Sequence, residues 1–244
     1  MPEQLSIAQL TGQTDSHLTT LAGEQQAKLH PLAAEAYLKM RAAAEDAGVS
    51  LAIASGFRSL QRQLSIWNRK WQGQQSVLDK HGQPLTVTSL EPAALMHAIL
   101  HWSALPGASR HHWGSDFDVF DPRPFRDGSQ TLQLVPSEYC DPSGPCFHVW
   151  QWLTEHAHEF GFFFPYARYQ GGVAQEPWHL SYRPLATQLQ QQLSLTVLTE
   201  LLQSLPLEGK ATVLEQLPHI QKQYINNISE DNGWTNTWCG YSSF

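Results

Sequence analysis

The strongest constraint in this 244-residue chain is a set of metal-type side chains divided between distant segments. His111 and Asp118 lie in one stretch, Ser109-Arg-His-His-Trp-Gly-Ser-Asp-Phe-Asp118, and His179 closes another, Glu176-Pro-Trp-His179. A catalytic zinc takes three N/O protein ligands and keeps a further position open for water. Two imidazoles and a carboxylate meet that need. For His111 and Asp118 to reach one ion the chain must bend sharply between them, and Gly114 permits the bend. His179 comes from over sixty residues away. A fold, rather than a local loop, must therefore hold the three together.

Each segment alone has an ordinary reading. His111-His112 reads as a solvated pair, and Glu176 with His179 as a surface couple. A third segment, Ser55-Gly-Phe-Arg-Ser59 followed by Gln63, reads as a strand-to-helix turn with a surface arginine. The combination is more specific. Water on a catalytic zinc still needs a base to take its proton. Glu176, three residues from a ligand, can reach that water without occupying the metal, and Pro177 fixes the backbone between them. Arg58 could pair with a substrate carboxylate or hold the oxyanion of a tetrahedral intermediate.

Composition narrows the partners. Fifteen Lys+Arg against 22 Asp+Glu give a net charge of −7, which argues against a binder that works by neutralising phosphates. Hydrophobic residues at 41% supply a sizeable core and exclude a disordered chain. Pro92 to Ser109 is the longest uncharged run, but its His, Pro and Ser rule out a membrane span. The N-terminal stretch shows no basic and apolar pair of regions, so a cytoplasmic protein is expected, or a periplasmic one if the sequence is trimmed. Cys140 and Cys146 flank Asp-Pro-Ser-Gly-Pro. They either pair or stay as two reduced thiols.

Periodicity and punctuation sketch the rest. A helix starts at Pro31 and stops at Gly48. A strand spans 49–55, Ser59 caps a helix to about Trp71, and residues 72–90 form an irregular excursion. A helix follows over 92–104. A strand covers 115–120, and 121–147, with five Pro, reads as an irregular insertion. A helix from Val149 ends at Gly161, and strands are expected at 162–164 and 178–182. Leu185, Leu189, Leu193, Val197 and Leu201 form one helical stripe, and a second helix over 208–228 breaks at Pro218. The stripe could pack within the chain or build a homodimer. The reading is an α+β protein divided into a polar extension over 1–29, a core over 30–184 and a helical appendage over 185–244.

These segments resemble the VanY-type D-alanyl-D-alanine carboxypeptidases of the LAS group of zinc peptidases (lysostaphin-like amidases, D-Ala-D-Ala peptidases and hedgehog-type domains). The family pattern SxHxxGxxxD falls on Ser109, His111, Gly114 and Asp118. Its ExxH falls on Glu176 to His179, and SGxRSxxxQ on Ser55, Gly56, Arg58, Ser59 and Gln63. The resemblance covers roughly residues 30–183, in the family's order. It implies a small antiparallel sheet flanked by helices, with zinc held by His111, Asp118 and His179 and Glu176 as general base. It also places Arg58, Gln63 and Ser109 in substrate and transition-state binding. Two departures stand out. Asp116 puts a second carboxylate beside the site, and spacing favours Asp118 as the ligand. The family's Arg-Tyr-Pro is absent from Gly161-Phe-Phe-Phe-Pro-Tyr166, so a substrate contact there is either missing or replaced by Arg168 or Tyr166. His112 is expected to be a neighbour of the metal rather than a ligand. Trp113 and Trp178 are expected to wall the pocket; Tyr182 could reach it as an auxiliary donor, but nothing in the sequence secures that.

The implied reaction is hydrolysis of the bond before a C-terminal D-alanine in a peptidoglycan stem peptide or muropeptide. The absence of a visible export signal favours an L,D-carboxypeptidase acting on recycled tetrapeptides. The alternatives are a D,D-carboxypeptidase or endopeptidase on wall pentapeptides, and a non-catalytic zinc domain that binds wall fragments.

Overall fold

The computed structural model describes residues 4–24 and 27–229. The chain opens with a one-turn helix α1 (Ile7–Leu10), held by a capping box between Ser6 and Gln9, and a two-residue ladder, β1 (Thr19–Thr20) against β2 (Lys28–Leu29). Helix α2 (Pro31–Asp46) begins with proline at its first position, where the missing N–H costs nothing, and Gly48 follows it at φ 76°. Then come β3 (Ala52–Ser55), α3 (Leu60–Trp71), α4 (Pro92–Trp102), β4 (Asp116–Phe120), α5 (Pro136–Cys140), α6 (Phe147–His156), β5 (Phe162–Phe163) and β6 (His179–Tyr182). Helices α7 (Arg183–Gln192), α8 (Leu195–Ser204) and α9 (Lys210–Ile220) complete the chain. Ser59 caps α3 by accepting from the Arg62 N–H, as its position foretold.

The main sheet has the order β3-β4-β6-β5, and every pair is antiparallel. Side chains alternate across it with period two. Ile53, Phe117, Val119, Leu180 and Phe162 point to one face. There they pack on Ala34, Tyr37 and Met40 of α2 and on Val149 and Leu153 of α6. Asp116, Asp118, His179 and Ser181 consequently share the opposite face. The ladder sets Asp118 directly across from His179, and Asp116 across from Ser181. Directly opposed residues hold their Cβ atoms ~5 Å apart, so register alone brings two of the expected ligands together.

A second core joins α3 and α4 to the C-terminal helices. Leu64, Trp67, Met96, Ile99 and Leu100 pack with Leu189, Leu198, Leu202, Val213 and Ile220. The stripe from Leu185 to Leu201 is not one helix. The chain turns at Leu193, and Ser194 starts α8 afresh by accepting from the Val197 N–H. The apolar spacing continues across the turn, which concealed it. Pro218 lies inside α9 without ending it, and a wider π-helical turn, Gln221–Ile225, follows. The 121–147 insertion contains the short helix α5, and Cys146 is a free, buried thiol, so the Cys140–Cys146 pair does not form.

Candidate metal centre

The bend between the two halves of the middle segment is built as glycine chemistry requires. Gly114 has φ 70°, and a Cβ there would lie 2.7 Å from the His30 nitrogen and 2.4 Å from a Leu18 methyl. Before the bend, a 3-10 turn over Arg110–His112 presents His111; after it, β4 presents Asp118. The third segment folds as a four-residue turn in which the His179 N–H donates to the Glu176 carbonyl at 3.2 Å. Pro177 occupies the second position, where its fixed φ favours the turn. His179 therefore enters β6 with Glu176 folded back beside it.

His111, Asp118 and His179 each offer a donor atom within 4.8 Å of the other two, and all three are buried. His111 Nε2 lies 3.5 Å from Asp118 Oδ2, and His179 Nδ1 lies 3.3 Å from Asp118 Oδ1. Each imidazole is held from behind. His111 Nδ1 is 2.9 Å from the Gly56 carbonyl and His179 Nε2 is 3.2 Å from Asp116 Oδ1, acceptors that fix the proton on those nitrogens. The opposite nitrogens are left with lone pairs facing Asp118. Asp118 Oδ1 is buried and makes no hydrogen bond among the described residues. A buried acceptor without a donor is costly, and a cation between the three donors would satisfy it. The donor set, two imidazoles and a carboxylate, suits zinc.

Asp116 is thereby distinguished from Asp118. It faces the far nitrogen of His179, outside the donor group, and receives Arg110 Nε at 2.7 Å. Arg110 also donates to Ser181 and Gln190, each at 2.7 Å, and lies over the Trp113 ring. Burial alone would raise the Asp116 carboxyl. The Arg110 guanidinium and the hydrogen bond from His179 outweigh it, so Asp116 stays well below the usual carboxylate range. Replacing Asp116 by Asn removes the charge that orients His179 and raises its basicity. Zinc affinity, measured by competition with a chelator, is expected to fall about 10–100-fold with the fold intact.

Glu176 Oε2 lies 3.4 Å from His179 Nδ1, beside the donor group but not part of it. The Arg58 guanidinium lies 3.9 Å from Asp118 Oδ2. It donates to Gln63 Oε1 at 3.1 Å, and Gln63 in turn donates to the Ala104 carbonyl at 2.7 Å. Gln63 is fully buried behind Arg58 and does not line the cavity, so it holds the arginine rather than meeting a ligand. A cavity of about 690 Å³ opens over these groups, and Arg58, Ser109, His111, Asp118, Glu176, Trp178 and His179 all line it.

Two readings change here. Trp113 does not wall the cavity: it is fully buried, donating to the Leu10 carbonyl at 3.0 Å. Tyr182 cannot reach the metal centre. It sits three residues after His179 in β6, and strand alternation sends it to the opposite face, against Phe162. Of Tyr166 and Arg168, Tyr166 lines the cavity, its ring 5.1 Å from that of His179. His112 lies outside the donor group and serves as a strut. Its two nitrogens lie 2.6 Å from the Arg58 carbonyl and 3.2 Å from the Gly107 N–H. Burial pushes it down to about 3, so it is neutral. Sequence reasoning missed Arg110, which stands between two residues it singled out. An arginine reads by default as solvated; its position one residue before a ligand was the available signal.

Two strands of an antiparallel sheet and the turn before one of them present three converging donors that could hold a metal, with a carboxylate and an arginine beside them. Residues 26–185 match the family model VanY, D-alanyl-D-alanine carboxypeptidase. The chain belongs to that family, and with it to the zinc metallo-carboxypeptidases. It is similar to an uncharacterized protein of Haemophilus influenzae (strain ATCC 51907 / DSM 11121 / KW20 / Rd). The two are 37% identical over 123 residues, 50% of this chain and 92% of that one. Similar solved structures include VanYB in complex with D-Alanine-D-Alanine, with 26% identity, 79% of this chain, 91% of that one and a TM-score of 0.48. Another is the LdcB LD-carboxypeptidase, with 21% identity, 73% and 75% coverage and a TM-score of 0.49. Among the described residues no helix is long and apolar enough to cross a membrane.

Proposed function

We propose that this chain releases the C-terminal D-alanine of peptidoglycan stem peptides, with the tetrapeptide, an L,D bond, as its working substrate. The observation that carries the carboxypeptidase part of this reading is the convergence of two lone-pair nitrogens and an unsatisfied carboxylate oxygen, with Glu176 3.4 Å from one of those nitrogens. Zinc held by His111, Asp118 and His179 would acidify the attacking water and polarise the scissile carbonyl. Glu176 takes the proton from that water as its oxygen bonds to the carbonyl carbon. The same carboxyl then gives the proton to the D-alanine nitrogen as the C–N bond breaks. Arg58, beside Asp118, is placed to stabilise the oxyanion, and Gln63 keeps its guanidinium aimed. Ser109 and Trp178 line the cavity as peptide contacts, one a hydroxyl donor and the other an apolar wall that keeps water out.

The test is D-alanine release from defined tetrapeptide and pentapeptide stems by the zinc-loaded protein. Release from the tetrapeptide is expected. Release from the pentapeptide alone would replace the L,D reading with a D,D one, and release from neither would set the carboxypeptidase reading aside.

A further inference from the structure

The cavity over the metal centre is also lined by Lys70 of α3 and by Ser103 and Ala104 after α4. On α3, Gln63, Trp67 and Lys70 share a face, two helical turns or ~10 Å from first to last. Gln63 clasps Ala104, and Lys70 Nζ donates to Ser103 Oγ at 2.6 Å, so the helix grips the chain after α4 at two successive residues. Arg58, Lys70, Ser103, Ala104 and Ser109 all line the one cavity.

Lys70 is half-buried and has no carboxylate within ion-pair distance among the described residues. Removing an ammonium from water without a counter-charge is unfavourable. Burial, and then the neighbouring Arg58, push it down to about 8, against the opposing pull of the Glu176 carboxylate. Nothing in the catalytic cycle above uses it. Its ammonium keeps two N–H groups beyond the one given to Ser103, and the Ser103 hydroxyl keeps its own proton to donate. A positive charge and three donors thus meet at one wall. Lys80 lines the same cavity.

We propose that Lys70 and Ser103 form a subsite that binds a carboxylate of the substrate peptide, separate from the group that faces Arg58. The proposal rests on the carboxypeptidase reading. In a tetrapeptide stem such a carboxylate has two sources. One is the free C-terminus; the other is the side-chain carboxylate of a diaminopimelate residue preceding the scissile bond, which a lysine stem lacks.

Three tetrapeptides separate these sources: a diaminopimelate stem, the same peptide with lysine at that position, and its C-terminal amide. The zinc-loaded protein is expected to favour the peptide carrying the recognised carboxylate by at least tenfold in kcat/KM, mostly through KM. Lys70→Met should erase the preference, and Lys70→Arg should restore most of it, because charge is what is recognised. Loss of the acid-over-amide preference assigns the C-terminus; loss of the diaminopimelate-over-lysine preference assigns the side chain. Calorimetric binding of the same peptides to the zinc-loaded Glu176→Ala protein repeats the comparison without turnover. A wild-type protein that cleaves none of them would count against the carboxypeptidase reading, while binding would still decide the subsite. Lys70→Met protein that melts like wild type yet keeps both preferences would overturn it. If Lys70→Met does not fold, Lys70→Gln takes its place, and unchanged preferences in that variant would overturn the subsite equally.

Discussion

Glu176→Ala protein is expected to hold zinc as the wild type does and to release D-alanine about 10²–10⁴-fold more slowly, the usual worth of a general acid–base. The two halves of this result come from different parts of the geometry. Zinc retention follows because the donor group is His111, Asp118 and His179, and Glu176 is outside it. The rate loss follows because Glu176, 3.4 Å from His179 Nδ1, is a carboxylate beside the donor group that does not belong to it and so stays free to act as a base. Metal content by elemental analysis, with D-alanine release by coupled assay, measures both. A variant that kept normal turnover would refute the mechanism and revive the non-catalytic reading, in which the metal is structural and no base is needed.

Asp118→Ala is the second large effect, and it runs the other way. Here the metal itself should go. Asp118 is the only carboxylate in the donor group, and its loss leaves two imidazoles, too few for a stable catalytic zinc. Zinc affinity is expected to fall well beyond the ~10–100-fold anticipated for Asp116→Asn, and D-alanine release to drop to background. The fold should survive, since Asp118 lies on the polar face of β4 while Phe117 and Val119 pack in the core. Circular dichroism against wild type checks that. Retained zinc in this variant would show that Asp116 had been assigned the wrong role.

The site was legible in the sequence because its residues stand in spaced patterns that few other chemistries need. His111, Asp118, His179 and Glu176 meet as those patterns imply. The preference for Asp118 over Asp116 has a cause that spacing could only hint at. Both point to the same face of β4, but only Asp118 is opposed to His179 in the ladder. Tyr182 could have been placed from the sequence, since three steps along a strand reverse the face. Trp113 could not. Its burial depends on Leu10 and α3, brought there by contacts far apart in the chain. Gln63 was read as a substrate contact because its motif is shared with Arg58. Its place behind the arginine depends on Ala104, which no local pattern marks. The split of the Leu185–Leu201 stripe was hidden for a different reason: apolar residues four apart continue through a turn as readily as through a helix.

The ladder between β4 and β6 bears on how this chain can change length. An added or deleted residue between the strands, as in 121–147 or 165–175, leaves Asp118 opposite His179. One inside either strand does not. A single deletion within 179–182 that drew β6 along by one position would bring Leu180 to the metal and turn a ligand toward the grease of α2 and α6. Insertions and deletions should therefore be absorbed by the connecting segments, while these short stretches keep a fixed count.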